Sequence, residues 1–179
     1  MNGGSFALEP ITRTHDRRGY DTMKTLLGTL ALGALLALSS VAIAADTPDP
    51  VVGTWKLNTA KSTSNTPMPK SETRTYAASP GGVAVTWTRV GADGKESTVK
   101  TTFKYDGKDY PVTGSPDFDA LNGKRVDANT IETTQKRMGK DVGTTRRALS
   151  ADGKTLTLDS KMTSAKGEDM KMTMVYDRQ

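Results

Sequence analysis

The sequence predicts an all-β protein, an antiparallel up-and-down β-barrel of about eight to ten strands, with a two-sheet β-sandwich as the alternative. Three observations predict this. Beyond Pro50, apolar and polar side chains alternate with a period of two almost throughout. Turn signals of the Asp-Gly kind recur at regular intervals, and they supply the positive φ that tight hairpins need. No stretch of this region shows a helical period. A long meander buried on one side has two open edges unless it closes on itself, which makes the barrel the first choice.

Taken in order, Asp46–Pro50 reads as a short leader containing proline, and the first strand is expected at Val51–Leu57. Further strands are expected at Glu72–Ala77, Val83–Val90, Ser97–Tyr105, Asp109–Val112, Lys124–Val126, Thr130–Met138, Val142–Leu149, Thr155–Thr163 and Met170–Asp177. The turns between them are carried by Asp93-Gly94, Asp106-Gly107, Met138-Gly139, Asp152-Gly153 and Lys166-Gly167, so successive strands run antiparallel. Thr59–Lys70 and Pro111–Asn122, rich in proline, glycine and asparagine, are expected to be the two long loops.

Alternation also assigns faces. Val83, Val85 and Trp87 are expected inside, as are Val99, Thr101, Phe103 and Tyr105. Leu156, Leu158, Met162, Met170, Met172, Met174 and Tyr176 follow the same rule, while Lys100, Thr102, Lys104, Thr155, Thr157, Asp159, Lys161, Lys171, Thr173 and Asp177 face water.

The first 44 residues read differently. Lys24 precedes an apolar run from Leu26 to Leu38, and Ala42-Ile43-Ala44 has the small-x-small form of a cleavage site, so 23–44 is expected to be a signal peptide cut near Ala44 or Ala45. Residues 1–22 are expected to be an extension ahead of the true start at Met23. The protein is then periplasmic or secreted, with 45–179 as a single barrel domain and no stable membrane anchor after cleavage.

Removing residues 1–44 takes away four cations and three anions, which reduces the formal charge from +5 to +4. The lysines are spread singly along the chain, a pattern that matches neither a nucleic-acid footprint nor a polybasic membrane patch. The only histidine, His15, falls in the expected extension, and there is no cysteine, which excludes disulfides and a lipoprotein anchor. The region also has no G-x-S-x-G and no phosphate-binding glycine loop. These features argue against an enzyme and call for no cofactor.

Gly53-Thr54-Trp55-Lys56-Leu57 resembles the G-x-W opening of lipocalins and fatty-acid-binding proteins, and Met174-Val175-Tyr176-Asp177-Arg178 is similar to their last strand. The resemblance implies a calycin-type barrel in which Trp55 packs across the floor beneath Arg178 as a cation–π pair. Fatty-acid-binding proteins hold the ligand carboxylate with an arginine two residues before the last-strand tyrosine; here that position is Met174. The chain also resembles a family of exported bacterial proteins through Gly53–Asn58, Tyr105–Gly114 and Ala151–Thr155, a likeness that implies no activity.

Several side chains are candidates for a site. Arg89 shares a face with Trp87 and reads either as a rim cation for an anionic head group or as a solvated arginine beside a turn. Ile131, Thr133, Gln135 and Arg137 share a face that lines a wet cavity, or else lies outside with Thr134 and Met138 within. The row Met170, Met172 and Met174 reads as core, as a soft lining for an apolar ligand, or, with Met162, as a thioether site for Cu(I). Asp106, Asp109, Asp117 and Asp119 read first as turn residues, with a carboxylate pair or a Ca²⁺ loop as the sharper alternative.

The resulting expectation is a protein that holds a small apolar or amphipathic molecule inside its barrel. Its ligand-binding residues are Trp87, Arg89, Phe103, Tyr105, Arg137, Met162, Met172 and Tyr176, with no catalytic or metal residue. A barrel filled solid, whose loops contact a protein partner, is the competing expectation. An enclosed volume of roughly 300 Å³ or more separates the first from the second.

Overall fold

The computed structural model describes residues 49–179; the expected extension, signal peptide and cleavage site lie outside the described residues. The chain forms β1 (Gly53–Leu57), β2 (Thr63–Ser64), β3 (Ser71–Ser79), β4 (Gly82–Val90), β5 (Glu96–Lys104) and β6 (Tyr110–Thr113). It continues through β7 (Ala120–Arg125), β8 (Thr130–Arg137), β9 (Lys140–Leu149), β10 (Thr155–Thr163) and β11 (Asp169–Arg178). A single 3-10 turn at Thr59–Lys61, capped by Asn58, precedes β2. From β3 onward each strand pairs antiparallel with the next, and β11 returns to pair with β1 through Trp55–Arg178, Lys56–Asp177 and Leu57–Tyr176. Ten strands thus close into an antiparallel barrel, with β2 as an extra piece on β11.

Alternation assigned the faces well. Val99, Thr101 and Phe103 are buried while Lys100, Thr102 and Lys104 are exposed, and Val83, Val85 and Trp87 point inward. Of the residues expected in water, Thr155, Thr157, Thr173 and Asp177 are partly covered; Asp177 accepts a hydrogen bond from the Asn58 side chain at 2.7 Å.

Most strand boundaries shift by one to four residues, the expected loop Thr59–Lys70 contains the 3-10 turn and β2, and the changes around β6 and β7 shape the site. The strand expected at Lys124 starts four residues earlier, because Ala120, Leu121 and Asn122 pair with Lys136, Gln135 and Thr134 and bury Leu121. Pro111 is accommodated within β6, where its carbonyl accepts from the Thr101 hydroxyl at 2.9 Å. The long middle loop therefore shrinks to residues 114–119, between β6 and β7.

The floor is built as the G-x-W resemblance implies. Trp55 is fully buried and its indole Nε1 donates to the Val51 carbonyl at 2.8 Å. The Arg178 guanidinium lies 4.3 Å from the centroid of that ring and donates to the carbonyls of Pro50, Val52 and Gly153. Gly53 sits at φ +139°, and a Cβ there would come within 2.8 Å of Arg178 Nη1, so the motif glycine makes room for the cation.

Candidate functional site

Above this floor the barrel is hollow. A cavity of about 270 Å³ is walled by inward residues of β3–β5 and β7–β11 and bounded at the other end by residues 115–118 of the β6–β7 loop. The volume lies just under the roughly 300 Å³ expected of a carrier. Phe118 of that loop stacks on Trp87 with centroids 6.5 Å apart and planes at 21°. The loop is tied across the mouth: the Asp117 carboxylate accepts from the Ala165 amide at 3.0 Å, and the Asp117 carbonyl accepts from Arg137 Nη1 at 3.1 Å.

The two sides of the cavity differ chemically. Val85, Trp87, Val99 and Phe103 of β4 and β5 supply an apolar, aromatic wall. Across the barrel, β8, β9 and β10 present a hydroxyl and amide seam. Thr133 Oγ1 donates to the Thr145 carbonyl at 3.3 Å, Gln135 Nε2 donates to the hydroxyls of Thr133 and Thr145 at 3.0 and 3.1 Å, and Thr145 shares a 2.8 Å hydrogen bond with Ser160.

Two buried ion networks border the cavity. In the first, Glu72 is 1% exposed, with one oxygen accepting from Arg74 Nε at 2.6 Å and the Tyr176 hydroxyl at 2.8 Å, and the other from Arg89 Nε at 2.5 Å. Arg74 also lies 4.9 Å over the Trp87 ring. Burial alone would raise the Glu72 carboxyl, but Arg74 and Arg89, with the Tyr176 hydrogen bond, hold it below its ordinary value. Burial pushes the Tyr176 phenol up.

In the second network, at the floor, Asp49 accepts from the Tyr105 hydroxyl at 2.5 Å, Arg125 Nη2 at 2.9 Å and Arg147 Nη2 at 3.2 Å. Burial works against the Asp49 charge, yet Arg147 and the hydrogen bonds from Tyr105, Val51 and Arg125 keep its carboxyl below the usual range. The Tyr105 phenol is pushed up by burial and by the carboxylate it donates to.

Of the residues expected to bind ligand, Trp87, Arg89, Phe103, Met162 and Met172 come together on the cavity wall. Three do not. Tyr105 points to the floor and belongs to the Asp49 network, Tyr176 is buried beneath Glu72, and Arg137 braces the mouth loop from its backbone. Arg89 is neither a free rim cation nor a solvated one, since it pairs with Glu72. The β8 face carrying Ile131, Thr133 and Gln135 lines the cavity, and Met138, the alternative inward residue, is 87% exposed.

The methionine row divides, with Met174 in the core and Met170, Met172 and Met162 at the cavity. The four aspartates serve separate local roles. Asp106 accepts from the Lys108 amide and the Tyr110 hydroxyl, Asp109 from Asn122 and Lys136, Asp117 from the Ala165 amide, and Asp119 from the Met138 amide. Sequence reasoning missed Glu72, Arg74, Arg147 and Asp49. For Arg147 a signal existed, because Leu149 inward places Arg147 and Thr145 inward as well.

No known protein family matches this sequence, and no curated protein matches it. Similar solved structures include zebrafish ileal bile acid-binding protein complexed with cholic acid, at 11% identity over 73% of this chain and 99% of that one, with a TM-score of 0.44. A redesigned β-barrel, mFAP1, bound to DFHBI, is similar at 14% identity over 74% of this chain and 100% of that one, with a TM-score of 0.40. The fold stands on the chain's own closed hydrogen-bonded ladder, which is that of a ten-strand antiparallel barrel.

Proposed function

We propose that this protein is an exported, non-enzymatic carrier that holds one small amphipathic molecule inside its barrel. The observation that supports this reading is the cavity of about 270 Å³ between an aromatic wall and a polar seam, bounded at one end by the Phe118 loop. A stable barrel of this length gains from filling its interior, so a space of that size facing Trp87 favours a guest over a packed core.

The charges inside favour binding over turnover. Glu72 and Asp49 are both paired and held below the usual carboxylate range, so each stays ionised near neutral pH, which suits neither a general acid nor a base poised to accept a proton.

Native mass spectrometry of the protein purified from its host tests the reading. A reproducible small mass released on denaturation is the expected result. Bare protein, together with no binding by an uncharged apolar fluorescent probe such as N-phenyl-1-naphthylamine, would refute it.

A further inference from the structure

Arg74 and Arg89 both line the cavity and share one carboxylate, that of Glu72. Each spends only its Nε–H on it, Arg74 on Oε1 and Arg89 on Oε2. The Tyr176 hydroxyl also donates to Oε1, so both Glu72 oxygens are engaged. Among the described residues the Nη groups of the two arginines have no hydrogen-bond partner. Two cations on one anion leave the cluster with a positive charge in excess, carried by donors that a further acceptor can use.

The ladder sets the two guanidinium groups side by side. Glu72 stands opposite Arg89 and Arg74 opposite Trp87, so the arginines are diagonal neighbours on the inner face, about 7–8 Å apart at the backbone. Arg74 lies over the rings of Trp87 and Tyr176 at 4.9 and 5.3 Å, which holds its position before any guest arrives. Its side chain is 13% exposed against 35% for Arg89, so one cation lies deep and the other nearer to water. The Glu72 side chain is fully buried behind them and is not part of the cavity wall. An entering anion therefore meets the arginines first.

The other charges of the cavity wall are otherwise engaged. Arg147 gives its Nη groups to Asp49 and to the Tyr105 hydroxyl. Asp117, the one carboxylate residue on the wall, accepts from the Ala165 amide, and among the described residues no ion pair joins it to either arginine. The arginine pair belongs to β3 and β4, away from the core residue Met174 on β11.

We infer, building on the carrier reading, that the guest bears a single carboxylate, received by the Nη groups of Arg74 and Arg89, while its apolar body lies along Val99, Phe118 and Met172. The planar N–H forks of arginine match the two oxygens of a carboxylate, and hydrogen bonds between ionised partners are stronger than neutral ones.

Isothermal titration at pH 7 with two probes of matched shape tests this: 2-naphthoate and the uncharged 2-naphthamide. The naphthoate is expected to bind at least about tenfold more tightly. Arg89→Gln, which leaves Glu72 paired with Arg74, is expected to remove about tenfold from the naphthoate and to leave the naphthamide within about twofold. Equal binding of the two probes by the unmodified protein would overturn the inference and leave the carrier reading intact. A naphthoate preference that survives Arg89→Gln would also overturn it, because the charge would then be read elsewhere. Where that variant fails to fold, the guanidinium NMR signals of Arg74 and Arg89 in the unmodified protein serve instead: they should move with naphthoate and not with naphthamide, and no movement would overturn the assignment. If neither probe binds while N-phenyl-1-naphthylamine does, the inference alone falls; if that probe also fails to bind, the carrier reading falls with it.

Discussion

Asp49, four residues before β1, accepts a hydrogen bond at 3.2 Å from Arg147 near the end of β9, joining the entry segment to the far wall of the barrel. Both side chains are almost fully buried, so the contact acts in a medium that screens it weakly. Asp49→Ala would strand the Arg147 guanidinium against Tyr76 and Tyr105. Removing one partner of such a pair is expected to lower stability by about 3 kcal/mol in urea unfolding. A loss below about 1 kcal/mol would show that water replaces the carboxylate freely.

The acid response of the fold follows from Glu72. Its carboxyl titrates below the ordinary value of 4.5 in the folded protein, so the unfolded chain takes up the proton first as pH falls. Its contribution is complete above the unfolded value and is lost as pH drops through the folded one. Asp49 behaves alike from its ordinary value of 3.8. Thermal melts should be flat near neutrality and fall steeply below about pH 4.5, and Glu72→Gln should be less stable at pH 7 but show a shallower acid slope. An unchanged slope would remove Glu72 as the cause.

The β8–β9 hairpin has room for improvement. Met138 sits at φ +52° and is 87% exposed, a left-handed turn position that favours asparagine over a long apolar side chain. Met138→Asn is expected to stabilise the protein by about 0.5–1 kcal/mol, read as a higher urea midpoint at constant slope. A lower midpoint would mean that the methionine makes contacts that outweigh the turn strain.

Gly123 on β7 lets the Phe103 ring lie against its backbone; a Cβ there would stand 2.6 Å from Phe103 Cε2. Gly123→Ala should push that ring into the cavity it lines, costing about 1–3 kcal/mol and weakening binding of a naphthalene probe. Unaltered probe affinity with reduced stability would mean that the ring is displaced elsewhere.

The fold was legible because alternation and hairpin turns are local properties. Val99 and Phe103 inward, with Lys100 and Lys104 outward, follow from a period of two alone. Half of the site was not legible for a physical reason. Glu72 and Arg74 alternate with Ser71, Thr73 and Thr75, so their strand reads as polar on both faces; only the register that sets Glu72 opposite Arg89 and Arg74 opposite Trp87 makes burial of those charges tolerable. Asp49 was hidden by its place in a leader that looked like a linker. Pro111 belongs both to the expected strand Asp109–Val112 and to the start of the expected loop, and the structure keeps it in β6.

The last seam of the wall is sewn in two unequal lengths. β1 holds the lower part of β11, while the upper part is met only by β2, through Thr63–Thr173 and Ser64–Met172, and among the described residues no ladder joins β2 to β3. Parting the barrel along that seam breaks five residue pairs, three to β1 and two to β2, whereas parting it between β10 and β11 breaks nine. Amide protons of Thr63 and Ser64 should therefore exchange with solvent well before those of β10, marking a side door beside Met172 through which the interior communicates with the outside.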